Sequence, residues 1–236
     1  MPTTEIAIFP FKSDANPGNP DTHAARVVKS TFDTLRQQDG MQQIHFGMQI
    51  EKPTLFEIFI DWDNRQKHVD FMQSSTYQTF LTDFTQLCDG EGSMHHVDFQ
   101  PAGALKKTFS APVTEVATFY FDGAPPSGYI DEVIKLGKVL EEKADGFLGI
   151  AIGITHEEIE REGVRGKASV ASIGWESVEK HMVTMPSRNR WAGKGRADVD
   201  VQAFRTTPEF KDNIHLLRSN AKKIEMHHVA IMEAKE

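Results

Sequence analysis

Cysteine is almost absent from this chain: Cys88 is the single one in 236 residues. One thiol excludes an internal disulfide framework and fits a reducing compartment. Cys88 lies near the end of an apolar helical pattern with no activating neighbour in sequence, so a packed, inert thiol is expected. Long apolar runs are missing too. No stretch approaches the roughly 18 residues of a membrane span, and Met1 to Glu5 leads into a strand pattern without the apolar core of a signal peptide. A cytoplasmic protein with no membrane partner is the expectation. Positive charge is scarce: 26 Lys and Arg stand against 34 Asp and Glu, a net charge of -8. That balance argues against a nucleic-acid partner. The short motifs of chemistry are lacking as well. There is no Gly-rich phosphate loop, no nucleophile elbow and no spaced Cys/His metal motif, and Gly193-x-Gly195 is too short to signify.

What is present is repetition. Met94-His95-His96-Val97 returns as Met226-His227-His228-Val229. Upstream, Trp62-Asp63-Asn64-Arg65-Gln66-Lys67-His68 is matched by Trp175-Glu176-Ser177-Val178-Glu179-Lys180-His181. Asp39-Gly40 matches Asp145-Gly146, and Thr4-Glu5-Ile6-Ala7 matches Thr114-Glu115-Val116-Ala117. The markers keep their order, which is the signature of an internal duplication. A length of 236 residues suits two ordinary units. The expected boundaries are 1–102 and 113–236, joined by a linker over 101–112.

The periodicities within each unit agree. In the first, residues 5–12 read as a strand and 13–20 as a loop. Asp21 is placed to cap a helix whose stripe is Ala24, Val27, Val28, Thr31, Phe32 and Leu35, closed by Gly40. Residues 41–50 and 55–62 read as a hairpin, 64–72 and 77–87 as helices, and 94–99 as a closing strand. The order β-α-β-β-α-β is the ferredoxin-like pattern. The second unit repeats it, with Ser127 placed to cap its first helix. Strand 147–154 has one nearly bare face, Gly149, Ala151 and Gly153, which invites a packed helix or a ligand. The second unit also carries an insertion at about 186–203, basic and aromatic, of the kind that forms lids or surface excursions.

The Trp-acid pair ending the third strand, the Lys-His in the next helix and the His-containing last strand resemble the dimeric α/β-barrel superfamily. The nearest look is to its antibiotic-biosynthesis-monooxygenase-like and stress-responsive branches. Trp62, Asp63, Lys67, His68, Tyr77 and Phe80 carry the resemblance in the first repeat, and Trp175, Glu176, Lys180, His181 and Phe210 in the second. It implies an α+β fold: two tandem ferredoxin-like repeats with antiparallel sheets packed into an α/β barrel. It also implies a small hydrophobic or aromatic ligand, and a possible homodimer. The superfamily includes cofactor-free oxygenases, polyketide cyclases, dehydratases, decarboxylases, haem-degrading enzymes and proteins without known activity, and fold does not choose among them.

Polar residues on otherwise apolar strands are the candidates for chemistry. His45 and Glu57 lie on the two strands of the first hairpin, where a histidine near a carboxylate makes an oriented acid or base close to neutral pH. A satisfied structural pair is the plainer alternative. Neighbouring strand residues point to opposite faces, so one histidine at most of each His-His pair can enter a given cavity. His96 and His228 are taken as the helpers. Tyr120 is a possible donor to a phenolate or enolate, and Lys67-His68 and Lys180-His181 are read as helix-surface residues. The reading is an enzyme using proton transfer without metal or organic cofactor, on an aromatic or polyketide-like substrate. The alternatives are a non-catalytic binder of a hydrophobic ligand and a haem protein.

Overall fold

The computed structural model describes residues 2–184 and 220–235. The 186–203 insertion and Phe210 lie outside the described residues. Two compact units emerge. The first comprises residues 1–99, 155–157 and 229–236, and the second 100–154 and 158–228.

In the first unit β1 (Thr3–Pro10), β2 (Met41–Met48), β3 (Leu55–Trp62) and β4 (Ser93–Val97) form an antiparallel sheet. A short β11 (Met232–Glu233) adds to its edge, giving the order β11-β2-β3-β1-β4. This is the ferredoxin-like order, with α1 (His23–Arg36) after β1 and α2 (Arg65–Met72) and α3 (Tyr77–Thr85) after β3. Thr22, not Asp21, caps α1, because its extended backbone lets the hydroxyl accept from the Ala25 N–H at 3.1 Å. The helix ends at Arg36 rather than running to Gly40.

Register divides the strand residues cleanly between two faces. Glu5 stands opposite Ile60 and His96, and Ala7 opposite Ile58 and Met94. These share a face with Phe56, Trp62 and Ile44, and α1, α2 and α3 cover it with Val28, Phe32, Leu35, Phe71 and Phe84. The other face carries Ile6, Phe59, Glu57, His45 and His95, since Ile6 pairs with Phe59 and His95, Phe59 with His45, and Glu57 with Gly47.

The second unit repeats the order, β10-β5-β9-β6, from β5 (Val113–Tyr120), β6 (Phe147–Ile154), β9 (Ala168–Trp175) and β10 (Lys223–Val229). Helix α5 (Tyr129–Lys143) covers one face, with Gly137 against Ile150. Gly128 in the left-handed region, not Ser127, precedes it, with no side-chain cap. The charged hairpin is β7 (Ile159–Arg161) and β8 (Val164–Gly166). Helix α6 (Val178–Thr184) follows β9.

The stretch expected as a linker contains a helix, α4 (Ala104–Phe109). It lies on the bare face of β6 and β9. Thr108 Oγ1 is 2.7 Å from Ser172 Oγ, and a Cβ on Gly174 would come within 2.9 Å of Ala111 Cβ and 3.2 Å of Thr108 Cα. The glycines are there to let this short helix approach the sheet. Gly174→Ala is therefore expected to destabilise the protein by about 1–3 kcal/mol through overpacking. Urea denaturation checks it; an unchanged midpoint would show that α4 does not sit this close.

Candidate active site

The residues that recur between the two halves turn out to touch one another. In the first unit the indole N–H of Trp62 donates to Glu5 Oε2 at 3.0 Å. His68 Nδ1 lies 3.4 Å from the same oxygen and 2.7 Å from His96 Nε2. In the second unit Trp175 donates to Glu115 Oε2 at 3.0 Å, His181 Nε2 lies 3.2 Å from that oxygen, and His181 Nδ1 is 2.6 Å from His228 Nε2. Each tryptophan also stacks on its histidine. The Asp-Gly and Lys markers meet as well. Lys67 pairs with Asp39 across Gly40, and Lys180 with Asp145 across Gly146. Both glycines have φ near +78°, at +79° and +77°, and a Cβ on either would strike the lysine stem.

His68 and His181 are thus not surface residues. Each is 2% exposed, whereas the preceding lysine reaches solvent. His68 sits three residues before the buried Phe71, so both fall on the inner stripe of α2.

In the first unit two of the four, Glu5 and His68, border a cavity of about 60 Å³ between the sheet and the helices. Glu5 and His68 supply its polar end. Ala7, Ile58, Phe71, Tyr77, Phe80 and Phe84 supply apolar wall. A cavity of about 150 Å³ is what accepts a benzene ring, so a ring enters only if a wall yields. Helix α3, nine residues long and without a side-chain cap at Thr76, contributes Tyr77, Phe80, Leu81 and Phe84 to that wall.

Burial pushes the Glu5 carboxyl up to about 7, although the Trp62 hydrogen bond works in the other direction. Burial, then the neighbouring His96 and Arg65, hold His68 down to about 3, so it is neutral at physiological pH. Burial and the Glu5 charge raise the Tyr77 hydroxyl. A carboxyl near neutrality, aimed into an apolar cavity, can both take and return a proton at pH 7. Among the described residues no group of three or more His, Cys, Asp or Glu side chains is placed to hold a metal ion.

The expected site residues are distributed differently. His45 and Glu57 share the opposite face of the sheet and are diagonal neighbours there. Glu57 Oε2 accepts from Gln49 at 3.3 Å, and burial lowers the His45 ring. His96 does not join them, because it faces the helices; His95 is the member of the pair on their face. Burial holds His95 down to about 4, and its Nε2 is buried without a hydrogen-bond partner among the described residues. His228 faces α6 through His181. Tyr120 is apart from His228, on the other face of its sheet. Its hydroxyl donates to Glu225 at 3.0 Å, and Glu225 also receives Arg161 at 2.9 Å. Cys88 is half-buried, and burial raises its thiol.

Comparison with solved structures decides the architecture. A candidate monooxygenase from Lactobacillus acidophilus superposes over 99% of this chain and 96% of its own, with a TM-score of 0.56 and 10% identity. An anthrone oxidase-like protein matches 100% of this chain and 94% of its own, at 0.64 and 11%. A candidate monooxygenase from Fusobacterium nucleatum matches 100% and 98%, at 0.56 and 11%. The chain shares their fold, with two ferredoxin-like repeats in one chain. No family model matches the sequence, and no curated protein matches it.

The Glu5 shift carries a stability consequence. A carboxyl whose folded value lies above its unfolded value holds an extra proton in the folded state between the two. Its contribution is full below about 4.5 and lost as pH rises through about 7. His68 acts oppositely, losing its contribution as pH falls from 6.5 toward 3. Glu5→Gln removes the first effect alone. The stability of the wild type relative to this variant should fall by on the order of 3 kcal/mol between pH 5 and 8. Denaturation across that range measures it, and a flat difference would contradict the shift.

Proposed function

We propose that the protein is a small-molecule enzyme working by cofactor-independent acid–base chemistry, with the helix-side cavity of the first unit as its site. Glu5 is the base. It removes a proton from an acidic carbon or phenol of an apolar, aromatic substrate seated against Phe71, Tyr77 and Phe80. What supports this is a buried carboxyl at the polar end of an apolar cavity, where burial pushes it up to about 7. Trp62 fixes its orientation, and neutral His68 sits beside it without quenching its charge. The substrate anion then cyclises, eliminates, decarboxylates or reacts with dioxygen.

An anthrone is the first probe, because one structural neighbour is named as anthrone oxidase-like. Loss of the proton at its methylene carbon leaves an electron-rich anion. Reaction with one dioxygen then gives the anthraquinone and one water, which balances without a cofactor.

A second reading places the chemistry on the opposite face, with His45, Glu57 and His95. The buried His95 Nε2, which has no hydrogen-bond partner among the described residues, favours it. Oxygen uptake with an anthrone and a panel of polyphenols separates the two. Under the first reading Glu5→Gln lowers turnover by about 10²–10⁴-fold, while His45→Ala leaves it within a few fold. The reverse pattern supports the second reading. Tight binding of the probes with no turnover in any variant would make the protein a binder instead of an enzyme.

A further inference from the structure

Glu157 comes from a segment distant in sequence from β4, and it is fastened to His96 twice. Its Oε2 accepts the backbone N–H of His96 at 2.8 Å, and its Oε1 lies 2.8 Å from His96 Nδ1. The loop that carries it is itself fixed. The His156 N–H donates to the His96 carbonyl at 2.8 Å, and Thr155 Oγ1 donates to the Glu157 carbonyl at 2.9 Å. Arg65 Nε adds a contact to Oε1 at 3.0 Å. From Glu157 the polar contacts run inward without a gap: His96 Nε2 to His68 Nδ1 at 2.7 Å, and His68 Nδ1 to Glu5 Oε2 at 3.4 Å. His96 and His68 are 1% and 2% exposed, while the Glu157 side chain is 27% exposed. A path thus joins the cavity to the surface through two buried rings.

We infer that the His96–Glu157 pair holds the proton that Glu5 takes from substrate, receiving it through His68 and returning it when the product needs an acid. This rests on the reading of Glu5 as the base. His96 Nδ1–H donates to Glu157, which leaves His96 Nε2 as an acceptor facing His68 Nδ1. When Glu5 gains a proton, His68 in its Nε2–H tautomer takes that proton at Nδ1 and passes it on to His96 Nε2. Glu5 is again a carboxylate and His68 again neutral. His96 is now an imidazolium against the Glu157 carboxylate. Hydrogen bonds from His96, with Arg65, hold that carboxylate down to about 2 despite burial, so it is an anion whenever the cation forms. The arrangement is that of a carboxylate steadying a catalytic imidazolium. Glu157 is a positioning residue in this scheme, acting through His96. Among the described residues, the other charged or titratable groups facing the path are Tyr77 beside Glu5, Arg65 on α2, and His156, whose ring is 6.5 Å from that of His96 and which pairs with Asp98 at 3.0 Å.

The test is nitrogen NMR of the full chain labelled in its histidine rings, titrated from pH 5 to 9, with anthrone turnover measured on the same samples. Coupling along the path predicts that Glu5→Gln moves the titration of the His96 ring nitrogens, and that Glu157→Gln moves those of His68. Turnover should fall at least 10-fold in Glu157→Gln with KM within about twofold and recover in Glu157→Asp, and its pH profile should shift. An unchanged His96 titration in Glu5→Gln overturns the path even if the enzyme is active. Coupled titrations in a protein that turns over none of the probes leave the path standing and sink the catalytic reading beneath it. If Glu157→Gln fails to fold, Arg65→Gln, which removes the outer contact to Glu157 and a positive charge near His68, must still shift the His96 titration.

Discussion

A carboxyl group pressed between a sheet and its helices must find donors or give up its charge; both halves of this chain supply the donors with the same side chains, and in the first burial also raises the carboxyl. The tryptophan that ends the third strand donates its indole N–H to the glutamate of the first strand. A histidine from the next helix stacks on that tryptophan and leans against the closing-strand histidine. Four elements are tied at one point. The position of α2 relative to β1, β3 and β4 follows from it, and so does the polar end of the cavity. Because a buried donor or acceptor stripped of its partner costs about 1–3 kcal/mol or more, loss of any member would be felt by the rest. That explains how the quartet can persist in two copies whose surroundings have diverged.

The same tie serves structure and chemistry, and the two halves use it differently. Both have the tryptophan-bound glutamate and the stacked histidine pair. In the first, the glutamate opens on a cavity walled by α3, and Glu157 clamps the outer histidine. In the second, the small-residue face of the sheet is closed by α4, and Tyr120 is held by Glu225 and Arg161. Chemistry is therefore most legible in the first unit.

Much of this was visible in the sequence, and the reasons for the remainder are physical. The duplication, the strand order and the hairpin of β2 and β3 follow from local periodicity. The recurring residues could also be read as landmarks. What they touch could not, because Glu5, Trp62, His68 and His96 meet only through sheet register and a helix crossing. Clues existed: Glu5 shares a strand face with Ala7 and Phe9, and His68 shares a helix stripe with Phe71. A polar residue in each apolar stripe marks a buried partner. Strand alternation says that His95 and His96 face opposite ways without saying which of them shares the face of His45 and Glu57. Helix α4, at six residues, is too short for periodicity to reveal. Thr22 and Gly128 took the caps from their neighbours through backbone angles that only the folded chain sets.

Everything chemical in this account depends on the ionisation of Glu5 near neutral pH. Infrared difference spectroscopy between the wild type and Glu5→Gln, recorded across pH, observes that carboxyl directly. The account predicts a protonated-carboxyl band, absent from the variant, that disappears with a midpoint near 7. A midpoint near 4.5, the value of an ordinary glutamate, would contradict it.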